Sequence, residues 1–180
     1  IYSLIMESKI ALIFDVETTG LLNTKPPYPR LDACPYVLQF SYIMYDVANG
    51  VIVKMMDSYV KIPDSITIPK QASDVNGITR EHCEGGRDMI DILKEFYKDY
   101  HKCNVLVAHN YNFDSNMLTL EMQRHWAKLK PDCPFALNLF QVTYMNDLSI
   151  NFHCTMNTTV NLCKIPMPNK YNKPIDPSKP

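Results

Sequence analysis

The chain has 180 residues, 46% of them hydrophobic and 21% charged, with 18 Lys and Arg set against 19 Asp and Glu. That length and composition give one domain with a real core and exclude wholesale disorder or a fibrous repeat. A net charge of −1 excludes a protein that grips nucleic acid by bulk electrostatics, though not one that meets phosphate through bound metal.

The chain opens with Ile1 to Ile5, too short and too poor in basic residues for a secretory signal, and Met6 is expected as the natural start. Lys9 to Phe14 (KIALIF) is a short continuous apolar run that predicts a central strand buried on both faces. Residues 21–36, with four prolines, read as a loop. Val37 to Val47 and Val51 to Ile62 read as two strands joined by Ala48-Asn49-Gly50, which predicts an antiparallel hairpin. Lys70 to Asp74 predicts a short helix before the turn at Asn76-Gly77. Thr79 reads as an N-cap with His82 three residues on.

Arg87 to His101 repeats Ile90, Leu93, Tyr97 and Tyr100 at helical spacing. Asn104 to Ala108 predicts a second buried strand. A helix opening at Asn112 would align Leu118, Met122, Trp126 and Leu129, and Lys130 to Pro134 breaks it. Ala136 to Thr143 is expected as a fifth strand and Thr155 to Lys164 as a last short helix. Strands that begin as a meander and then alternate with helices predict a mixed α/β sheet carrying helices. No run approaches the roughly 20 apolar residues of a membrane span, so a soluble chain is expected. Cys34, Cys83, Cys103, Cys133, Cys154 and Cys163 show no C-x-x-C spacing. They read as free thiols in a reducing intracellular setting, cytoplasmic or nuclear.

Two segments carry chemistry. In Asp15-Val16-Glu17-Thr18-Thr19-Gly20 the two acids are two residues apart, so a strand points both to one face. Carboxylates that converge repel unless a cation lies between them, and an oxygen-only pair suits Mg²⁺ or Mn²⁺. Thr18, Thr19 and Gly20 would offer hydroxyl and N–H groups beside it. The second segment is Ala108 to Leu118. There a strand delivers His109 and Asn110 to its end, and the next helix holds Asp114 in its first turn, where the helix dipole favours an anion. If the two strands are parallel neighbours, all three acids lie beyond strand carboxyl ends, where open α/β sheets bind ligands.

Ile13 to Gly20 resembles the first exonuclease motif of the DnaQ-like (DEDD) 3′→5′ exonucleases of the ribonuclease H-like superfamily. Ala108 to Leu118 resembles the second, A-H-N-x-x-F-D-x-x-x-L, at every fixed position. Ile68-Pro69 with Val75-Asn76-Gly77-Ile78-Thr79 is similar to the substrate-side segment, where many relatives have His in place of Asn76. Cys154-Thr155-Met156 with Leu162-Cys163-Lys164 resembles the approach to the third motif.

The resemblance implies a mixed five-stranded sheet of order 3-2-1-4-5, strand 2 antiparallel, with helices on both faces. It also implies hydrolysis of DNA or RNA from the 3′ end, in proofreading or repair, with two Mg²⁺ or Mn²⁺ ions. Asp15 would bridge the ions, Glu17 would bind one and Asp114 the other. Thr18, Thr19, Gly20, Val75, Asn76, His109 and Asn110 would lie against the terminal nucleotide. The implied partners are a single-stranded or frayed 3′ end and, left open, a DNA polymerase or a second copy of the chain.

The family also has a fourth carboxylate, preceded by His (DEDDh) or Tyr, on a C-terminal helix. Nothing after Lys164 matches it, and Ile165 to Pro180 holds five of the 13 prolines. The expectation is therefore an exonuclease domain over 6–164 lacking its last helix, a loop over 165–180, and impaired cleavage. Two rivals stay open: a non-catalytic nucleic-acid-binding remnant of the fold, and a haloacid dehalogenase-like phosphatase with Asp15 as nucleophile. Abundant Ile, Asn, Lys and Tyr suggest an AT-rich genome, viral or protist.

Overall fold

The computed structural model describes residues 9–22 and 30–163, with the side chains of 161–163 left aside. The expectations for Ile1 to Met6, for the prolines of 23–29, for the side chains of Leu162-Cys163-Lys164 and for 165–180 lie outside that description.

Five strands form one mixed sheet: β1 (Ile10–Thr18), β2 (Val37–Asp46), β3 (Val51–Tyr59), β4 (Val105–Ala108) and β5 (Asn151–Cys154). Their order is β3-β2-β1-β4-β5, with β2 antiparallel to both its neighbours and β4 parallel to β1 and β5. The sequence supplies the hairpin turn directly. The Asp46 carboxylate accepts from the N–H groups of Ala48 and Asn49 at 3.0 and 3.1 Å, and Gly50 takes the left-handed φ of 69° that closes the turn.

The helices are α1 (Lys70–Asn76), α2 (Arg80–Glu84), α3 (Met89–Tyr100), α4 (Tyr111–Arg124), α5 (Trp126–Leu129), α6 (Val142–Asp147) and α7 (Thr155–Cys163). The Thr79–His82 capping box forms, with Thr79 N–H donating to His82 Nδ1 at 3.0 Å. Asp88 caps α3 through a 2.7 Å bond from Ile90 N–H. The buried stripe of α3 is Met89, Ile92, Leu93, Phe96 and Tyr100, with Ile90 and Tyr97 only partly buried. Leu93 and Tyr100 of the expected row belong to it, and Ile92 stands in for Ile90, while Phe96 rather than Tyr97 enters the core. There it meets Phe40 at 5.2 Å, Tyr42 at 5.7 Å and Phe14 at 6.3 Å between ring centroids.

Three expectations are corrected. Ala136 to Thr143 is not a strand: a 3₁₀ turn spans Ala136–Asn138, and α6 follows from Val142. The buried residues Ala136 and Leu139 recur three apart, a helical spacing that the β-branched and aromatic composition masks. The fifth strand is Asn151–Cys154, a four-residue edge whose first three side chains are exposed. The helix from Tyr111 also stops at Arg124, and His125 separates it from α5.

Finally, beyond Ala11, β1 is buried on one face only. Leu12, Phe14 and Val16 enter the core, whereas Ile13 is 40% exposed and Asp15 and Glu17 share its side. The strand runs on through both acids to Thr18. Its apolar opening therefore reports one buried face and the neighbouring strands, not two buried faces.

The described cysteines Cys34, Cys83, Cys103, Cys133 and Cys154 are free and buried. No helix among the described residues is long and apolar enough to cross a membrane.

Candidate active site

Register sets the site. Asp15 stands opposite Ser41 and Glu17 opposite Gln39 on β2, but those two side chains are committed elsewhere. Ser41 Oγ and Gln39 Nε2 both donate to Asp57 Oδ1, at 2.6 and 2.7 Å. The Asp15 and Glu17 carboxylates are thus not neutralised by the neighbouring strand. The register then shifts between Glu17 and Thr18, which pairs with Val37 as the last residue of β1. Past the shift, Thr18 Oγ1 donates to Gly20 O at 2.8 Å, Thr19 N–H donates to Tyr36 O at 2.9 Å, and Tyr36 N–H donates to Thr19 Oγ1 at 3.0 Å. The two threonine hydroxyls are engaged in shaping this loop.

Asp114 comes from the first turn of α4, whose N-cap is Asn110. Its side chain is 2% exposed, and its Oδ2 is buried with no hydrogen-bond partner. Burial, and next the charge of Asp15, push its pKa up to about 7, against the pull of N–H groups from Val16, Asn110 and its own backbone. Glu17 is also raised, by burial and then by Asp15, while the Asn76 amide pulls it down. Asp15 is raised by burial and pulled back by His109. Asp15 is therefore the common neighbour through which the three acids feel one another.

Asn76 ties α1 to this strand end: its Nδ2 donates to Thr18 O at 3.3 Å and its Oδ1 accepts from Ile78 N–H at 3.0 Å. Gly77 ends α1 at a φ of 73°, in the left-handed conformation that glycine adopts freely. The result is a cleft of about 1080 Å³ lined by Glu17, Thr18, Thr19, Gly20, Val75 and Asn76 from the expected set. Asp15, His109, Asn110 and Asp114 do not line it. His109 shares a second cavity of about 450 Å³ with Asp15, on the open side of the sheet, and its Nδ1 lies 3.1 Å from Thr155 Oγ1. Asn110 acts here on the placing of Asp114.

Two features were not read from sequence. Leu21, 77% exposed, lines the cleft beside the expected Val75, 87% exposed, and Tyr36 forms part of its wall. Exposed apolar side chains in a cleft suit the face of a nucleobase, and only the fold reveals that they share one.

Among the described residues no group of three or more His, Cys, Asp and Glu side chains is gathered closely enough to hold a metal ion. The donors nevertheless fit a hard divalent cation in kind. They are oxygen-only, Asp15 raises the pKa of the other two, and one of them presents a buried oxygen that no described residue satisfies.

A family model described as Exonuclease (RNase T) matches residues 12–168, most of the chain. The chain belongs to this exonuclease family. Among curated relatives, DNA polymerase III PolC-type of Streptococcus pyogenes serotypes M1 and M5 is 29% identical over 114 residues. The match takes in 63% of this chain but 7% of the relative, so the exonuclease corresponds to a small part of that polymerase's length. Among solved structures, exonuclease I in complex with inhibitor BCBP superposes with a TM-score of 0.65 at 19% identity, over 95% of this chain and 33% of that one. A product-bound exonuclease I gives 0.64 at 19%, over 95% and 35%. The shared architecture is the ribonuclease H-like exonuclease fold. Members of the family typically use divalent metal ions.

Proposed function

We propose that this exonuclease removes nucleoside monophosphates from a single-stranded or frayed 3′ end of DNA or RNA, with Mg²⁺ or Mn²⁺ held by Asp15, Glu17 and Asp114. The observation that carries the reading is the buried, unpartnered Oδ2 of Asp114 beside Asp15. A fold that keeps a desolvated carboxylate raised to about 7 has no structural use for it, but a cation at that place would satisfy the orphaned oxygen. Bound divalent ions would supply Lewis-acid stabilisation of the phosphate's developing charge and a water acidic enough to attack at neutral pH.

The protein's own part is placement. Asp15 and Glu17 would place a bound cation, and so the phosphate it meets, at the end of β1, while Leu21 and Val75 in the cleft would flank the last base. Asn76 holds the α1 side of the cleft at its distance from Thr18. Among the described residues no fourth acid stands with these three, so on their own the described residues are expected to bind metal weakly and hydrolyse slowly. The PolC-type relatives support proofreading beside a polymerase as the setting.

The test uses 5′-labelled DNA and RNA oligonucleotides with Mg²⁺ or Mn²⁺. A ladder shortening from the 3′ end is expected, with mononucleotides released and the activity lost in Asp15→Asn. Internal cuts, cleavage of a 3′-blocked strand, or an aspartyl-phosphate trapped on Asp15 would each reject the reading.

A further inference from the structure

We infer that Arg124 is a positioning residue for the substrate cleft: it clamps the wall formed by residues 30–36 onto the far end of the helix that carries Asp114. The inference rests on the exonuclease reading of the cleft.

The wall has little structure of its own. Apart from a 3₁₀ turn at Leu31–Ala33 it is irregular, and no side chain of that turn is buried. It nevertheless supplies Asp32, Cys34, Pro35 and Tyr36 to the cleft. An irregular segment holds its shape only where its backbone groups find partners. Here the carbonyls of Leu31 and Cys34 find a shared partner in one guanidinium. Arg124 Nε and Nη2 donate to Leu31 O at 3.2 and 2.7 Å, and Nη2 donates to Cys34 O at 2.7 Å. Its Nη1 donates to Glu121 Oε1 at 2.6 Å, and that oxygen also accepts from Val37 N–H at 3.1 Å, where the wall joins β2. The guanidinium lies over the Tyr36 ring at 3.8 Å.

The arrangement is too well desolvated to be an ordinary surface pair. The Arg124 side chain is 8% exposed and that of Glu121 3%, with His125 Nε2 at 3.7 Å from the other Glu121 oxygen. A planar fork reaching two carbonyls, a carboxylate and an aromatic face at once is geometry that lysine cannot reproduce.

The wall in turn holds the motif loop. Tyr36, beneath the guanidinium, makes both main-chain contacts to Thr19, so a displacement of the wall reaches Thr19 and Gly20 directly. Asp114 and Arg124 are ten residues apart on one helix, about 15 Å along its axis. One rigid element thereby sets both the depth at which the acid sits and the position of the wall that faces the nucleotide. None of the groups on Arg124 touches the acids, so its loss should weaken capture of the strand rather than the chemistry.

Arg124→Lys and the double variant Glu121→Gln/Arg124→Met test this in the full-length protein. The double variant removes both charges, so that no buried ion is orphaned. Both are expected to raise KM for a single-stranded oligonucleotide about tenfold while kcat changes less than about twofold. The same loss should appear, without turnover, as about tenfold weaker binding of a phosphorothioate-ended oligonucleotide by fluorescence anisotropy. Wild-type KM and binding in either folded variant overturns the inference. So does loss of kcat with KM unchanged, or failure of both variants to fold, which would make the clamp purely structural. Failure of the exonuclease reading shows separately, as a wild-type protein that shortens no 3′ end, and the anisotropy comparison still reads the wall.

Discussion

Replacing Asp114 with Asn should make the metal-free protein more stable at neutral pH. In the unfolded chain this carboxyl titrates near its ordinary value of 3.8, whereas in the fold it titrates at about 7. Between those values the folded state holds a proton that the unfolded state has lost. Stability therefore falls as pH rises across that window, and the penalty stays constant above it. Each unit of difference is worth about 1.36 kcal/mol, so the penalty at pH above 7 is at most about 4 kcal/mol. Asn keeps an oxygen for the Val16 N–H, puts an amide donor in place of the unpartnered Oδ2, and carries no charge to desolvate.

For a chain of this size, recovering about 2–4 kcal/mol should raise Tm by roughly 5–10 °C. Thermal unfolding followed by circular dichroism in EDTA, from about pH 4 to about pH 8, measures this directly. The two proteins should converge at the acid end and separate progressively above it. The wild-type slope should be reduced and not abolished by the substitution, because Asp15 and Glu17 are raised in the same direction. Adding Mg²⁺ at about 100 times its Kd should then stabilise the wild type by about 2.7 kcal/mol and the variant by much less. A wild-type Tm that is flat from about pH 4.5 to about pH 7.5, or a variant that melts lower at neutral pH, would refute the account of Asp114.

Gly86→Ala should destabilise the fold by about 1–3 kcal/mol in urea titrations, because a Cβ there would lie 2.8 Å from backbone atoms of Tyr59 and Val60, which cannot swing aside. Phe96→Ala should cost about 3–5 kcal/mol by the same measurement, since its ring joins the aromatic side chains of β1 and β2 to Tyr100 and Phe140.

The acids were legible in the sequence for a local reason. Asp15 directly follows the KIALIF run, Glu17 two residues on shares its side of the strand, and Asp114 falls in the first turn of the helix after the NVLVA run, so element type alone placed them at the sheet's carboxyl end. The fifth strand was not legible. Asn151 to Cys154 is a short edge that borrows its regularity from β4 and shows no alternation of its own, while Leu139 and Phe140 look strand-like and pack in a turn. The exposure of β1's second face was hidden in the same way, because Ile13 is apolar whether or not a neighbour covers it. The Arg124 clamp lay further out of reach. Its partners are some 90 residues away in the chain and are backbone carbonyls, which carry no residue signature.

On β1 the alternation of Leu12, Phe14 and Val16 with Ile13, Asp15 and Glu17 makes the strand a ruler shared by two tasks. A slip of one residue would turn the acids into the aromatic core and lift Phe14 into water. No register exists in which the core closes and the acids are misplaced by one position. Insertions or deletions within Leu12 to Glu17 should therefore be lost at the stage of folding, before any fault in cleavage could arise. The strand proofreads its own geometry as the protein folds.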